Sequence, residues 1–427
     1  MKKKKTQRSY FIMRPTEFWL LFTEMFLIVW LWIFCTSTQS TDLNILILNL
    51  VILAVFLCSV FLSHLLLVIA GSKSDPTFLP LVVLLTGFGL CYQHRLSTIS
   101  MDSPYDPSLI LMLLSPLIVT VTCLIFRKDR IFWLSKTIWI WGVFLIGVPL
   151  LVIFAGVEFN GSLFGPGRTT PTELVKPALV VVLSGMLYRC GDRLSKDSSL
   201  FSKDTLKSLV FIFFVWLIPQ VCFIFQKDLG MVFASFIIFV VLLYTATGRK
   251  IFWILGMIGA IIGGCIFRFY IPRGQIRFES WIEPFNHPAE SGYQIIQSLF
   301  AMFHGGVIGC GIGEGFPVKI PYVHNDFVFA SIAEELGLLG SSLLVFAFVY
   351  LSRRAYYAAS KAKDAFQALV GVGCASLIWI QLFLNVGGVI KLIPMTGVPL
   401  PFVSLGGMAC LTFAFVIGWN MAISDSG

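Results

Sequence analysis

"DFVFASIAEELGLLGSSLLVFAFVYL", running from Asp326 to Leu351, decides the fold. From Phe327 onward it is almost wholly apolar. As a helix it rises about 1.5 Å per residue, enough to cross a hydrocarbon core of about 30 Å. A carboxylate, Asp326, stands at its threshold. Glu334 and Glu335 follow eight and nine residues later, about 12 Å along the axis. Carboxylates at that depth face a bundle interior or a wet cavity, because lipid cannot solvate them. Read from its neighbours alone, Asp326 caps the helix that follows. A chemical role is the alternative.

The rest of the chain has the same character. Of 427 residues, 57% are hydrophobic and 12% charged, against about 25% charged in a soluble domain. An all-α polytopic membrane protein is expected. Twelve spans can be drawn, at about 18–35, 45–70, 78–92, 108–126, 132–155, 174–188, 207–225, 229–246, 251–271, 327–351, 366–390 and 405–423. The sixth is short. The ten cysteines lie mostly in apolar runs, for example Cys58, Cys123, Cys222, Cys265 and Cys410, without metal-ligand spacing. They read as small buried hydrophobes. The basic start, Met1 to Lys5, lacks a cleavage site after it and precedes a retained first helix.

The net charge of +9 does not mark nucleic-acid binding, because the loops explain it. With the N-terminus in the cytoplasm, alternating loops place 22 of the 31 basic residues inside, including Arg127, Lys128, Arg130, Arg189, Lys196, Arg249, Lys250, Arg353 and Arg354. That is the positive-inside pattern. Both termini are then cytoplasmic. The long polar segment 272–326, between the ninth and tenth spans, is extracytoplasmic, and Asp326 lies at headgroup depth.

Other ionisable residues near spans each need a reason. In "TPTELVK", Glu173 and Lys176 share a helix face and can pair. Thr170 or Thr172 would cap that helix, with Pro171 in its first turn. In "QKDLG", Asp228 caps the following helix. "GYQIIQSLFAMFHGGVIGCGIGEG", Gly292 to Gly315, begins as an amphipathic helix with Gln294 and Gln297 on one face. It continues as a glycine-dense loop, lying at the interface or re-entering the membrane. "IPMTGVPLPFVSLGG", Ile393 to Gly407, is a second irregular external segment. The two are expected to roof one pocket.

In order along the chain, these blocks resemble one family, the SEDS proteins (shape, elongation, division and sporulation), which include FtsW, RodA and SpoVE. "TPTELVK" looks like the family's Gln-Pro-Ser-Glu-x-x-Lys, and "QKDLG" like Gln-Pro-Asp-Leu-Gly. "VHNDFVFASIAEELGLLG" resembles His-Thr-Asp-Phe-x-Phe-x-x-x-x-Glu-Glu-Leu-Gly. "NVGGVIKLIPMTGVPLPFVSLGG" resembles the late Pro-x-Thr-Gly-x-Pro-Leu-Pro-Phe-x-Ser-Tyr-Gly-Gly block. The chain departs from the pattern at Asn325, Lys227 and Leu405, at Val318 and Tyr322 where upstream acids are frequent, and in "NGSLF" (Asn160 to Phe164), which lacks an Arg-Trp pair.

The resemblance implies a ten-helix core over 76–427, preceded by a cytoplasmic N-terminus and two extra helices over 1–75. It implies a peptidoglycan glycosyltransferase of the bacterial cytoplasmic membrane, polymerising lipid II at the outer face for division or cell shape. The partners it implies are a class B penicillin-binding protein transpeptidase and other divisome or elongasome membrane proteins. The family's catalytic aspartate carries over onto Asp326, as general base. Substrate-binding candidates are Glu173, Lys176, Asp228, Arg273, Gln294, Gln297, His324, Lys391 and Ser404. No cofactor and no metal ligand is assigned, although Mg or Mn would suit a pyrophosphate leaving group. Lys176, Lys227, Arg273, Arg277, Lys319 and Lys391 are unranked candidates for the same charge. A flippase for the lipid-linked precursor and a non-catalytic scaffold are the competing readings.

Overall fold

The computed structural model describes residues 14–37, 43–100, 107–127, 130–159, 162–165, 169–194 and 202–426. The basic Met1–Lys5 start, Lys128, Asn160 and Lys196 lie outside them. The first helices are α1 (Pro15–Ser37), α2 (Leu43–Ile69), α3 (Phe78–Ser100), α4 (Pro107–Leu113), α5 (Ser115–Phe126), α6 (Phe132–Lys136) and α7 (Ile138–Ala155). A short antiparallel hairpin, β1 (Val157–Phe159) and β2 (Ser162–Phe164), leads to α8 (Val175–Arg189) and α9 (Gly191–Leu194). Then come α10 (Lys203–Phe225), α11 (Leu229–Thr247), α12 (Ile251–Tyr270), α13 (Pro272–Ile282) and α14 (Tyr293–Gly305). The chain closes with α15 (Val328–Ser360), α16 (Ala365–Val389) and α17 (Gly407–Ser426).

Ten of the described helices are long and apolar enough to cross a membrane: α1, α2, α7, α8 with the turn before it, α10, α11, α12, α15, α16 and α17. The chain is a multi-pass membrane protein. Twelve spans were expected, and the other two differ for local reasons. α3 is long enough, but Tyr92, Gln93, His94 and Arg95 make its second half polar. The fourth span is divided at Leu114 into α4 and α5, where Pro116 in the first turn of α5 lacks an N–H and crowds the preceding turn.

α8, α16 and α17 are the most buried spans, whereas α1, α7 and α12 show mostly outward faces. α15 packs along α16, and α14 along α15. The two N-terminal helices lie on the next ones, α1 against α3 and α2 against α5. A buried polar clasp holds them. Arg14 bonds Glu17 and the carbonyls of Ser72 (2.8 Å) and Ser74 (3.0 Å). Glu17 in turn meets His64 Nδ1 at 2.8 Å.

α15 is not one continuous helix. Gly337, at φ 65° and ψ −168°, breaks it after Leu336. The glycine-rich loop after α14 fills the break. Cys310 and Gly311 N–H donate to the carbonyls of Glu334 and Glu335, both at 3.1 Å. Leu338 and Leu339 N–H donate to Gly306 O (2.9 Å) and Val307 O (3.1 Å). The loop therefore replaces the helix's own ladder, which makes irregular backbone tolerable at this depth. A Cβ on Gly337 would lie 2.3 Å from Gly309 N, so only glycine fits there. Both glutamates are buried and engaged, as their depth requires. Glu335 pairs with Arg95 of α3. Glu334 meets His304 Nδ1 at 3.0 Å and accepts Phe316 N–H at 3.2 Å.

Candidate active site

The two irregular segments meet at the head of α15. α13 is tied to the later one by Arg277 Nη1 donating to Met395 O (2.7 Å) and Trp281 Nε1 to Lys391 O (3.0 Å). Asn385, buried in α16, donates to Asp326 O (3.0 Å) and Val398 O (2.8 Å). Ser404 Oγ donates to Asn325 O at 2.6 Å, and Leu405 N to His324 O at 2.8 Å. Gln93 Nε2 donates to His324 O and Val403 O, both at 2.9 Å. The backbone of 324–326 is thus held from α3, α16 and the late loop.

The Asp326 side chain is left out of this scaffold. The residue before α15 is Phe327, and no side chain caps the helix. The expected capping by Asp326 does not occur. Phe327 holds the N-cap position, after a turn closed by Phe327 N–H on Tyr322 O at 3.4 Å, so Asp326 stands one residue ahead of the cap. Among the described residues nothing donates to its carboxylate. The residue keeps some accessible surface, yet protein packs closely around it and strips most of its hydration. Burial pushes its pKa up to about 6. The Arg277 guanidinium opposes that rise, and Glu173 and Asp228 add to it. Arg277 is itself lowered to about 10 by burial and by Arg273, against the pull of Asp326 and Asp228. The site is a compact cluster of opposed charges drawn from α11, α13, the turn before α8, and the head of α15.

The remaining candidates divide. Glu173 and Lys176 form the expected pair at 2.6 Å, both buried, and Lys176 also donates to Gln381 Oε1 at 2.9 Å. Thr170, expected as a cap there, makes no side-chain cap bond. Asp228 caps α11 as expected, accepting Met231 N–H at 3.1 Å. Lys227, where the family motif has proline, sits at φ 60°. It closes α10 by a Schellman turn, with Asp228 N–H on Phe223 O at 3.0 Å. Proline cannot adopt that φ.

Arg273 is drawn into the cluster through Asp228. His324 pairs with Gln93 at 3.2 Å. Ser404 bonds backbone on both sides. Lys391 reaches Ile282 O at 3.3 Å and so fastens α13. Gln294 and Gln297 are half-buried on α14, and no described bond joins them to Asp326. Sequence reasoning left Arg277 unranked and missed Asn385, Gln93, Gln381 and Gly397. Gln381 and Asn385 are amides in the otherwise apolar α16, which is itself a signal, because lipid penalises them.

Fold and site together define an all-helical, multi-pass membrane protein holding one uncommitted carboxylate at the junction of two irregular segments. The sequence model of the FtsW/RodA/SpoVE family, described as cell cycle protein, matches residues 75–426. The chain belongs to that family. It is 31% identical over 363 residues to the peptidoglycan glycosyltransferase RodA of Mycobacterium bovis, covering 82% of this chain and 77% of the relative. It is 30% identical over 367 residues to stage V sporulation protein E of Bacillus subtilis, covering 82% and 98%. A chain from a peptidoglycan synthase complex superposes with a TM-score of 0.64 at 18% identity, covering 82% and 98%. Thermus thermophilus RodA superposes at 0.56 and 18%, covering 82% and 97%.

Proposed function

We propose that this protein is a peptidoglycan glycosyltransferase that polymerises lipid II, with Asp326 as general base. The observation that carries the reading is the uncommitted Asp326 carboxylate, rigidly mounted among Arg277, Asp228 and Glu173. The acceptor sugar hydroxyl is a poor nucleophile, and a carboxylate in hydrogen-bond reach accepts its proton. The donor's anomeric carbon already carries a good leaving group. An apolar cavity of about 160 Å³ borders Arg277, lined by Leu229, Phe233, Phe267, Phe383 and Ile393. It suits a stretch of polyprenyl chain. The loop charges favour an external site, reached from the outer leaflet.

Among the described residues no three His, Cys, Asp or Glu side chains gather to hold a metal. Glu173 is paired and Asp228 is capping, so Mg or Mn serving the leaving group would be held mostly by substrate phosphates and water. The likeness to a chain of a synthase complex supports a penicillin-binding protein as partner. The flippase reading needs mobile intramembrane charges, but Glu173, Asp228 and Glu334 are each engaged in structural bonds. The test is polymerisation of purified lipid II by the chain with its partner, wild type against Asp326→Asn. Strands from wild type and loss of about 10²- to 10⁴-fold in the variant are expected. Equal rates would remove Asp326 as base, and transport without strands would favour the flippase.

A further inference from the structure

A Cβ built on Gly397 would lie 3.4 Å from Arg277 Nη2 and 3.5 Å from Asp326 Oδ2. Those two atoms are therefore within about 7 Å of each other. Among the described residues, however, no ion pair of 4.0 Å or less joins them. A gap wider than 4.0 Å and no wider than about 7 Å has room for one oxygen shared by the two groups. An oxygen accepting from N–H at about 2.9 Å and donating O–H at about 2.7 Å spans roughly 4.5–5.5 Å. Both groups are built to hold still. Arg277 is anchored by Nη1 on Met395 O, and Asp326 by Asn385 on its own carbonyl. Among the described residues, Arg277 Nη2 makes no hydrogen bond and the Asp326 carboxylate accepts none. Gly397, at φ 74°, keeps the space between them clear of a side chain.

We infer that Arg277 and Asp326 together grip the acceptor's sugar hydroxyl, so that Arg277 is a catalytic residue of acceptor positioning and not a clamp for the donor's phosphates. The inference rests on the glycosyltransferase reading and deepens it. A hydroxyl can accept from Arg277 while donating to Asp326. A phosphate oxygen in the same gap would stand against the Asp326 carboxylate, with Glu173 and Asp228 adding like charge. In the step, the hydroxyl proton passes to Asp326 Oδ2. The hydroxyl oxygen bonds the donor's anomeric carbon. The bond from that carbon to the phosphate oxygen breaks, and its electron pair leaves with the polyprenyl pyrophosphate. Arg277 also favours the ionised form of Asp326. The other charged groups facing that carboxylate are Glu173 from the turn before α8, with Lys176 paired to it, and Asp228 at the head of α11, which draws Arg273.

The experiment uses the full chain with its partner in detergent, lipid II as substrate, and polyprenyl pyrophosphate as product inhibitor. Arg277→Gln should lower the polymerisation rate about tenfold or more, the effect of one charge-assisted hydrogen bond. Its acidic limb should move to higher pH, and its inhibition constant for polyprenyl pyrophosphate should stay within about twofold of wild type. Arg277→Lys keeps the charge without the fork, so the limb should return while the rate recovers only in part. Should Arg277→Gln not stay monodisperse, Arg277→Lys decides by rate and inhibition constant alone: a lowered rate with unchanged pyrophosphate inhibition is expected, and weakened inhibition or a wild-type rate would overturn the inference. Weakened inhibition by the pyrophosphate with an unmoved limb would overturn the inference in favour of a phosphate clamp. So would an Arg277→Gln rate equal to wild type. A wild type that forms no strands would remove the glycosyltransferase reading and this inference together; any overturning result beside active wild type removes the inference alone.

Discussion

As the proposed base, Asp326 draws its suitability from a conflict. Burial raises its pKa, and Arg277 restrains that rise at about 6. A base must be ionised to accept a proton, so activity should climb as pH passes through about 6 and fade below it, read as a rate profile from pH 5 to 8. The sign for stability is opposite. Because the folded pKa lies above the ordinary carboxylate value, the neutral form is favoured by folding, and ionisation opposes the fold at higher pH. Asp326→Asn should therefore hold or raise the melting temperature at pH 8 while activity falls. A lower melting temperature at that pH would mean the carboxylate stabilises the fold. From the residues alone Asp326 was legible as a carboxylate at a helix threshold. That it does not cap was not, because the competing turn to Tyr322 depends on how 317–327 folds back.

The element that bears most on the site is the broken helix α15. Its first part positions Asp326, and the break lets the 306–315 loop dock with its backbone bonds satisfied. Gly337→Ala must push aside Gly309 N and Val307 O, at 2.3 and 2.6 Å from its Cβ, so it should cost about 3 kcal/mol or more. Thermal unfolding in detergent measures this. The Arg95–Glu335 pair braces the same junction. Arg95→Leu leaves Glu335 buried and uncompensated, a loss of about 3–5 kcal/mol, and adding Glu335→Leu should recover much of it. A double change as unstable as the single one would show that packing, not charge, is at stake. The sequence marked this region as amphipathic helix then glycine loop, because periodicity and glycine density are local. It did not reveal that the loop completes another helix's hydrogen bonds.

At the scale of the whole molecule, orientation follows from loop charge. In a chain with its native cysteines replaced, Glu290→Cys should react with a membrane-impermeant maleimide from outside intact cells, and Lys361→Cys only after lysis. The reverse pattern would invert the topology and move the site to the cytoplasm. Ten of the twelve span positions, the Glu173–Lys176 pair and the Asp228 cap could be read from the sequence, because each depends on residues within a few turns of one another. Only the tertiary structure decided which carboxylate stays uncommitted. Glu173, Asp228, Glu334, Glu335 and Asp326 look alike as acids beside apolar runs, but neighbours three residues on engage the first two and packing gives Glu334 and Glu335 their partners. It sets Asp326 opposite Arg277 across Gly397, a meeting of three distant chain segments. Hydropathy and spacing are local properties of a chain, whereas the pairing of a buried charge depends on what the fold brings beside it.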